Sequence, residues 1–398
     1  MVGYDEFVSL SRSPDSAERG MAAHLAALAY LRHSGPADEH AALYAALFGF
    51  LEDPSVKVRA SMAYGLLHAR EAPRPIMLAL LHDSPIIARA VLQYSPVLVD
   101  ADILPLVAGF DEAMLLSAAE RGEVSRRLAE ALLARGVRPV TLRIFERADV
   151  PIGAPTLKRL AHEMGEDARV RAVLLARADL PADARLLLVR NVVTALRGLR
   201  IVSGAIARGR LERLLRNALD TAVTRIGERE AGEGACAYAE ELATQDQLST
   251  RTLLHALVNG HVLFFAACCS ELGDVPRAKV FSILEHGSRA ALNALLARCG
   301  LAEGVRNLLA RLIAHARSVD LADDIAARHF VVTALTEELI AEHEGDIPDD
   351  LAEAFAYLCE QNVLLARRAA QGVMAAFAAE ASTHLQIGPE ERLALPAA

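Results

Sequence analysis

Tryptophan is absent from this sequence of 398 residues, and aromatic residues supply only 5% of it although 53% is hydrophobic. The core must therefore be filled by Ala, Leu and Val. Ala and Leu are strong helix formers, and Ala lets helix axes approach closely. Segments alternating polar with β-branched residues are few, which argues against sheets. No apolar run approaches the roughly 18–20 residues of a membrane span. One of the longest, Val262–Cys269, suits one helix of a soluble core. The opening MVGYDEFVSLSRSPD lacks a basic start followed by an apolar stretch, so no signal peptide is expected.

Chemical motifs are missing as well. There is no phosphate-binding G-x-x-x-x-G-K-[ST], no dinucleotide G-x-G-x-x-G and no nucleophile elbow G-x-S-x-G. His162-Glu163 begins an H-E-x-x-H but fails at the fifth position. His255 and His261 flank Gly260, which puts them on separate helices rather than on one metal face. The expectation is no catalytic residue, no metal site and no cofactor, with each lone His at a core edge or in solvent. None of the five cysteines (Cys236, Cys268, Cys269, Cys299, Cys359) forms a C-x-x-C pair. Free, mostly buried thiols in a reducing cytosol are expected, with Cys268–Cys269 read as packing. A formal net charge of −9 disfavours a protein whose whole surface grips nucleic acid.

What is present is a repeat. Asp53 and Arg59 are six residues apart, as are Asp83 and Arg89, with thirty residues between the pairs. FLEDPSVKVRA (Phe50–Ala60) aligns without a gap on LLHDSPIIARA (Leu80–Ala90). Such a period marks stacked helix pairs, an all-α solenoid in which each pair buries its apolar face on its neighbours. Val56, Ala60, Ala63 and Leu67 make one apolar stripe. Ten prolines from Pro54 to Pro181 imply short helices, and none then occurs until Pro276, which allows longer ones. The first helix is expected to start at Ser13 as N-cap with Pro14 behind it. The repeat weakens beyond residue 100, but GEDARVRAVLLARADLP (Gly165–Pro181) restores it, with Val170-Arg171 matching Val58-Arg59. Four to five helix pairs are expected before Pro181. The organisation read from this is 1–182 helical repeats and 183–234 longer connecting helices ending in a Gly-rich linker, Gly227–Gly234. A second helical array, 235–398, follows, with Pro348–Glu360 and Val363–Ala381 as separate helices and a frayed end.

The Asp–Arg spacing resembles HEAT repeats, where an Asp precedes the second helix and an Arg lies one and a half turns into it. The resemblance implies a ladder in which each Asp accepts hydrogen bonds from an Arg, often of the adjacent repeat. The physics agrees: the carboxylate meets free N–H groups at the positive end of a helix dipole, and a guanidinium can grip it through two bonds. Asp53, Arg59, Asp83 and Arg89 are therefore read as structural glue. FLEDPSVKVRASMAYGLL, LALLHDSPIIARAVLQYSPVLVDADILPLV, LLSAAERGEVSRRLAEALLARG and LVNGHVLFFAACCSELGDVP together resemble a bacterial HEAT-like family designated a domain of unknown function, number twenty-three thirty-six. The third phrase departs at Ala119-Glu120-Arg121, where the family pattern runs Ala-Arg-Arg. This resemblance implies a fold and brings no activity.

Charge is segregated along the chain. Eight arginines and one acid, Glu212, lie from Arg185 to Arg216, whereas twelve acids and one basic residue, Arg328, lie from Val319 to Glu360. An ordinary solvated helix mixes signs. Three readings stand: solvated faces, docking of the acidic tail on the arginines within or between chains, and capture of an external anion. Arg190, Arg197, Arg200, Arg208, Arg210, Arg213 and Arg216 are the candidate anion- or partner-binding residues. No aromatic residue interleaves them for base stacking. The favoured expectation is a cytoplasmic, non-enzymatic scaffold or adaptor that holds a protein partner, with self-association through basic middle and acidic tail left open. The alternative implied by the HEAT resemblance is a nucleic-acid-binding protein or DNA glycosylase using Arg185–Arg216. A chromophore- or small-ligand-binding solenoid is a third.

Overall fold

The structure is a computed structural model that describes residues 4–319 and 321–384. Asp320 of the acidic stretch and the expected frayed end from 385 onward lie outside the described residues. Among those described there are helices and turns and no strand, so the fold is all-α. The chain divides into two compact units, Met1–Ala184 and Arg185–Ala398.

The first unit is a run of helix pairs. It opens with α1 (Tyr4–Ser11) and α2 (Ser16–Arg32), then α3 (Ala37–Leu51) and α4 (Val56–Leu66), then α5 (Arg74–Leu81) and α6 (Pro85–Tyr94). There follow α7 (Asp100–Ile103) with a 3-10 turn (Leu104–Gly109), α8 (Glu112–Ala119), α9 (Arg126–Leu133), α10 (Arg138–Phe145), α11 (Ala154–Met164) and α12 (Ala168–Ala176). Each second helix packs on the next, so that α2, α4, α6, α8, α10 and α12 form one layer. That makes six pairs rather than four or five, because α1 precedes the expected start. Asp15, not Ser13, is the N-cap of α2, its carboxylate accepting from Ala17 N at 2.9 Å, while Ser13 Oγ accepts from Asp15 N. The stripe read from the sequence holds only in part: Ala63 and Leu67 are buried, but Val56 is exposed and Ala60 half-buried, because the inward face of α4 is centred on Val58, Met62 and Leu66. Met62, Leu66, Ile76, Met77, Leu80, Ile87 and Leu92 are wholly or nearly wholly buried. Each such side chain contributes about 1.5–3 kcal/mol.

The second unit contains longer helices. α13 (Ala182–Gly198) spans the division, followed by α14 (Arg200–Ala205), α15 (Arg208–Gly232), α16 (Ala237–Thr244), α17 (Thr250–Val258) and α18 (Val262–Gly273). The unit continues with α19 (Arg277–His286), α20 (Arg289–Arg298), α21 (Glu303–Ala316), α22 (Ile325–Glu342) and α23 (Asp349–His384). At its centre α17 packs on α15, α18, α21 and α23, and every residue from Arg251 to Val258 is buried.

Two expectations are corrected here. Gly227–Gly234 is no linker, because α15 runs unbroken to Gly232. A Cβ on Gly227 would stand 2.1 Å from Phe264 Cδ2, so this glycine permits close helix contact rather than flexibility. The neighbouring acids are caps: the Glu228 carboxylate accepts from Leu263 N and Phe264 N at the start of α18, and Glu230 accepts from Tyr238 N. Likewise α23 is one helix of 36 residues, not two. Gln361-Asn362 contains no Gly or Pro to stop it. No described helix is long and apolar enough to cross a membrane.

Candidate functional site

The ladder residues come together with one change of membership. Arg19 grips Asp53 through Nε–Oδ2 at 2.7 Å and Nη2–Oδ1 at 3.2 Å, and Arg59 grips Asp83 at 2.6 and 2.8 Å. Each Arg thus reaches the Asp of the following repeat. Asp53 also accepts from Ser55 N and Asp83 from Ser84 N, at the starts of α4 and α6. The Arg19 guanidinium holds the Asp53 carboxyl below its usual range, and Arg59 does the same for Asp83. Arg89 is exposed and, among the described residues, makes no ion pair or hydrogen bond. Its position in the register would need an acid before α8, but there Asp111 serves as the N-cap of α8 itself. Arg19 was the missed member, and its signal was Ser13-Pro14 six residues ahead, in the place of Asp53-Pro54.

Two further arginine roles were not read from the sequence. Arg19, Arg59, Arg171 and Arg328 each donate to the carbonyl six residues back, of Ser13, Asp53, Gly165 and Ala322. Arg121, Arg147 and Arg177 instead reach back to the preceding repeat. Arg121 donates to the carbonyls of Leu92, Ser95 and Leu98, Arg147 to those of Ala119, Arg121 and Gly122, and Arg177 to that of Val150. These are carbonyls at helix ends and turns that lack helical partners. The signal was a recurrent Arg-x-acid turn, Arg121-Gly-Glu123, Arg147-Ala-Asp149 and Arg177-Ala-Asp179. At the Ala119-Glu120-Arg121 departure, Arg121 is 8% exposed while Glu120 meets Gln93 and Arg143 at the surface.

The arginine stretch of the second unit splits by environment. Arg190 donates to Gln247 Oε1 at 2.6 Å. Arg197 forms a two-bond pair with Glu212 at 2.9 and 2.8 Å, which consumes the stretch's own acid. Arg200 opens α14 on the surface, and Arg208 and Arg216 are exposed near Glu212. Arg210 and Arg213 line a cleft of about 450 Å³ between α15 and α23, and Arg367 lines it from the α23 side. Leu214, Val363 and Leu364 supply apolar wall, and Asn217, Cys359 and Glu360 complete it. Among the described residues, Arg210, Arg213 and Arg367 form no ion pair or hydrogen bond, and all three are exposed. Sequence reasoning missed Arg367 because it lies far along the chain, on another helix.

Behind the cleft is a buried polar network that fixes its walls. Arg251, on the enclosed α17, donates to Asp220 Oδ2 (2.7 Å), Asn217 Oδ1 (2.9 Å) and Glu360 Oε2 (2.9 Å), and lies over the Tyr357 ring at 5.0 Å. The acidic stretch therefore meets α17 through Glu360, while Glu338 and Glu342 pair with Arg311. Burial pushes His255 down to about 3, so its ring is neutral. Thr221 Oγ1 donates to Asn217 O, so its contact with His255 Nε2 at 3.2 Å requires the proton on Nε2. His255 Nδ1 then accepts from Tyr357 OH at 3.0 Å.

A family model described as an uncharacterised protein conserved in bacteria (DUF2336) matches residues 87–345. The chain belongs to this family. No curated protein and no solved structure matches it. The DUF2336 match takes in α15, with Arg210 and Arg213, and the Arg121, Arg147 and Arg177 clamps. It ends before α23, so Arg367 and Glu360 lie beyond it.

Proposed function

We propose that this DUF2336 protein is a non-enzymatic helical scaffold that holds a protein partner, and that the α15–α23 cleft seats an acidic segment of that partner. The observation that carries the reading is the convergence of Arg210, Arg213 and Arg367, without protein partners among the described residues, on a cleft with exposed Leu214 and Val363. On a chain of net charge −9 such a place is locally distinct. Guanidinium forks recognise carboxylates through two parallel bonds. The apolar wall adds a requirement that an inorganic ion does not meet, namely side chains to bury against Leu214, Val363 and Leu364.

The test is affinity isolation from the native cell with the full chain and with an Arg210→Glu/Arg213→Glu variant, scored by stoichiometry. A partner recovered near one to one with the wild type and lost with the variant supports the reading. Recovery of the same partner by both overturns it. Tight binding of duplex DNA, weakening steeply with salt, would replace it with a nucleic-acid function.

A further inference from the structure

Three of the five cysteines lie close together on α18 and at the end of α20. Cys268 and Cys269 are adjacent on α18, so their side chains leave the helix about 100° apart and serve different neighbours. Cys299 is the C-cap residue of α20. Its Sγ donates to Cys269 O across 3.7 Å. A Cβ built on Gly273 would come within 3.4 Å of the same sulfur. Gly273 lies four residues after Cys269, on the same face of α18. Two separate contacts therefore seat the Cys299 thiol on the final turn of α18, along the side that carries Cys269.

The two sulfurs differ in access and acidity. Cys269 is wholly buried, whereas Cys299 is only half-buried. The neighbouring Cys269, with Arg298 adding to the effect, holds Cys299 below the usual thiol range, and Cys299 together with burial raises Cys269 well above it. An accessible, more acidic thiol beside a buried second thiol is the arrangement of a peroxide-reactive cysteine with a resolving partner.

We propose that Cys299 and Cys269 form a reversible, hydroperoxide-responsive thiol pair. The Cys299 thiolate attacks one oxygen of a hydroperoxide, the O–O bond breaks, and the other oxygen leaves as water or alcohol after taking a proton. Cys299 is then a sulfenic acid. The Cys269 sulfur attacks the sulfenic sulfur, the hydroxyl leaves as water with the Cys269 proton, and an S–S bond forms. Two thiols have lost two electrons to the peroxide, which is reduced. The product ties the end of α18 to the end of α20.

The experiment treats the full chain with hydrogen peroxide, alkylates remaining thiols and digests with trypsin. Cleavage after Arg251, Arg277, Arg298 and Arg306 releases Cys268 and Cys269 in 252–277 and Cys299 in 299–306. The expected result is a linked pair of these peptides, lighter by about 2 Da than the sum of the reduced ones. It should appear in wild type and in Cys268→Ser, vanish in Cys299→Ser and Cys269→Ser, and revert with dithiothreitol. It should also form at peroxide doses that leave Cys236 and Cys359 open to alkylation. Absence of the link, its loss in Cys268→Ser, its persistence in Cys269→Ser, or earlier oxidation of Cys236 or Cys359 would overturn the proposal. Cys299→Ser changes a half-buried position, so a stable fold is expected for that control.

Discussion

Arg251→Met tests whether one guanidinium holds the polar centre of the C-terminal unit. Arg251 is 8% exposed and bonds Asp220, Asn217 and Glu360 at once. Met keeps an aliphatic stem against the Tyr357 ring but leaves two carboxylates without their cation. Removing one partner of a buried pair costs about 3–5 kcal/mol. The Glu360 side chain retains 21% exposure, so water relieves part of its loss and the low end applies, about 3 kcal/mol. For a unit of this size each kcal/mol moves Tm by about 2–4 °C, which gives a fall of about 6–12 °C. Scanning calorimetry of the full chain measures it, and hydrogen exchange of α15, α17 and α23 assigns the transition. Adding Asp220→Asn should restore at least about 1 kcal/mol, because the second change removes a stranded charge. A loss under about 1 kcal/mol for Arg251→Met, or strict additivity in the double variant, would refute the reasoning.

His255, pushed down to about 3 in the fold, binds its proton less readily than in the unfolded chain, where about 6.5 applies. Its contribution is therefore complete above about pH 6.5 and is lost as pH falls toward the folded value, at about 1.4 kcal/mol per pH unit. Urea unfolding at pH 6.5 and 5 should differ by about 2 kcal/mol from this group, and His255→Gln should flatten that slope. An unchanged slope in His255→Gln would contradict the assignment. In the first unit, Asp83→Ala should cost about 1–2 kcal/mol, since the carboxylate both starts α6 and grips Arg59. Arg89→Ala should stay within about 0.5 kcal/mol, and equal costs for the two would argue against the ladder register. Gly227→Ala should destabilise by about 1–3 kcal/mol despite the better helix propensity of Ala, because the methyl meets the Phe264 ring. A raised Tm there would mean that the ring can step aside.

Short-range rules accounted for much of what is observed. The helix starts at Ser249, Pro276 and Ser288 follow from caps and prolines, and the Asp53 and Asp83 turns follow from carboxylates facing free N–H groups. They failed where a local signal had a distant cause. The glycines and acids of Gly227–Gly234 have the composition of a linker, yet Gly227 answers to Phe264, and Glu228 to the start of α18. Arg19 was hidden because its own turn carries Ser13 where the later repeats carry Asp53 and Asp83, so the six-residue Asp–Arg spacing does not mark it.

Helical content, stacking in pairs and the position of most turns were determined by the sequence alone, because propensity, capping and apolar spacing act within a turn or two of helix. Only tertiary structure decided that Arg367 joins Arg210 and Arg213, that Arg251 meets Glu360, and that Cys299 rests against Cys269. Those contacts depend on how whole helices are placed. Close packing sets that placement across separations at which neighbouring residues carry no signal.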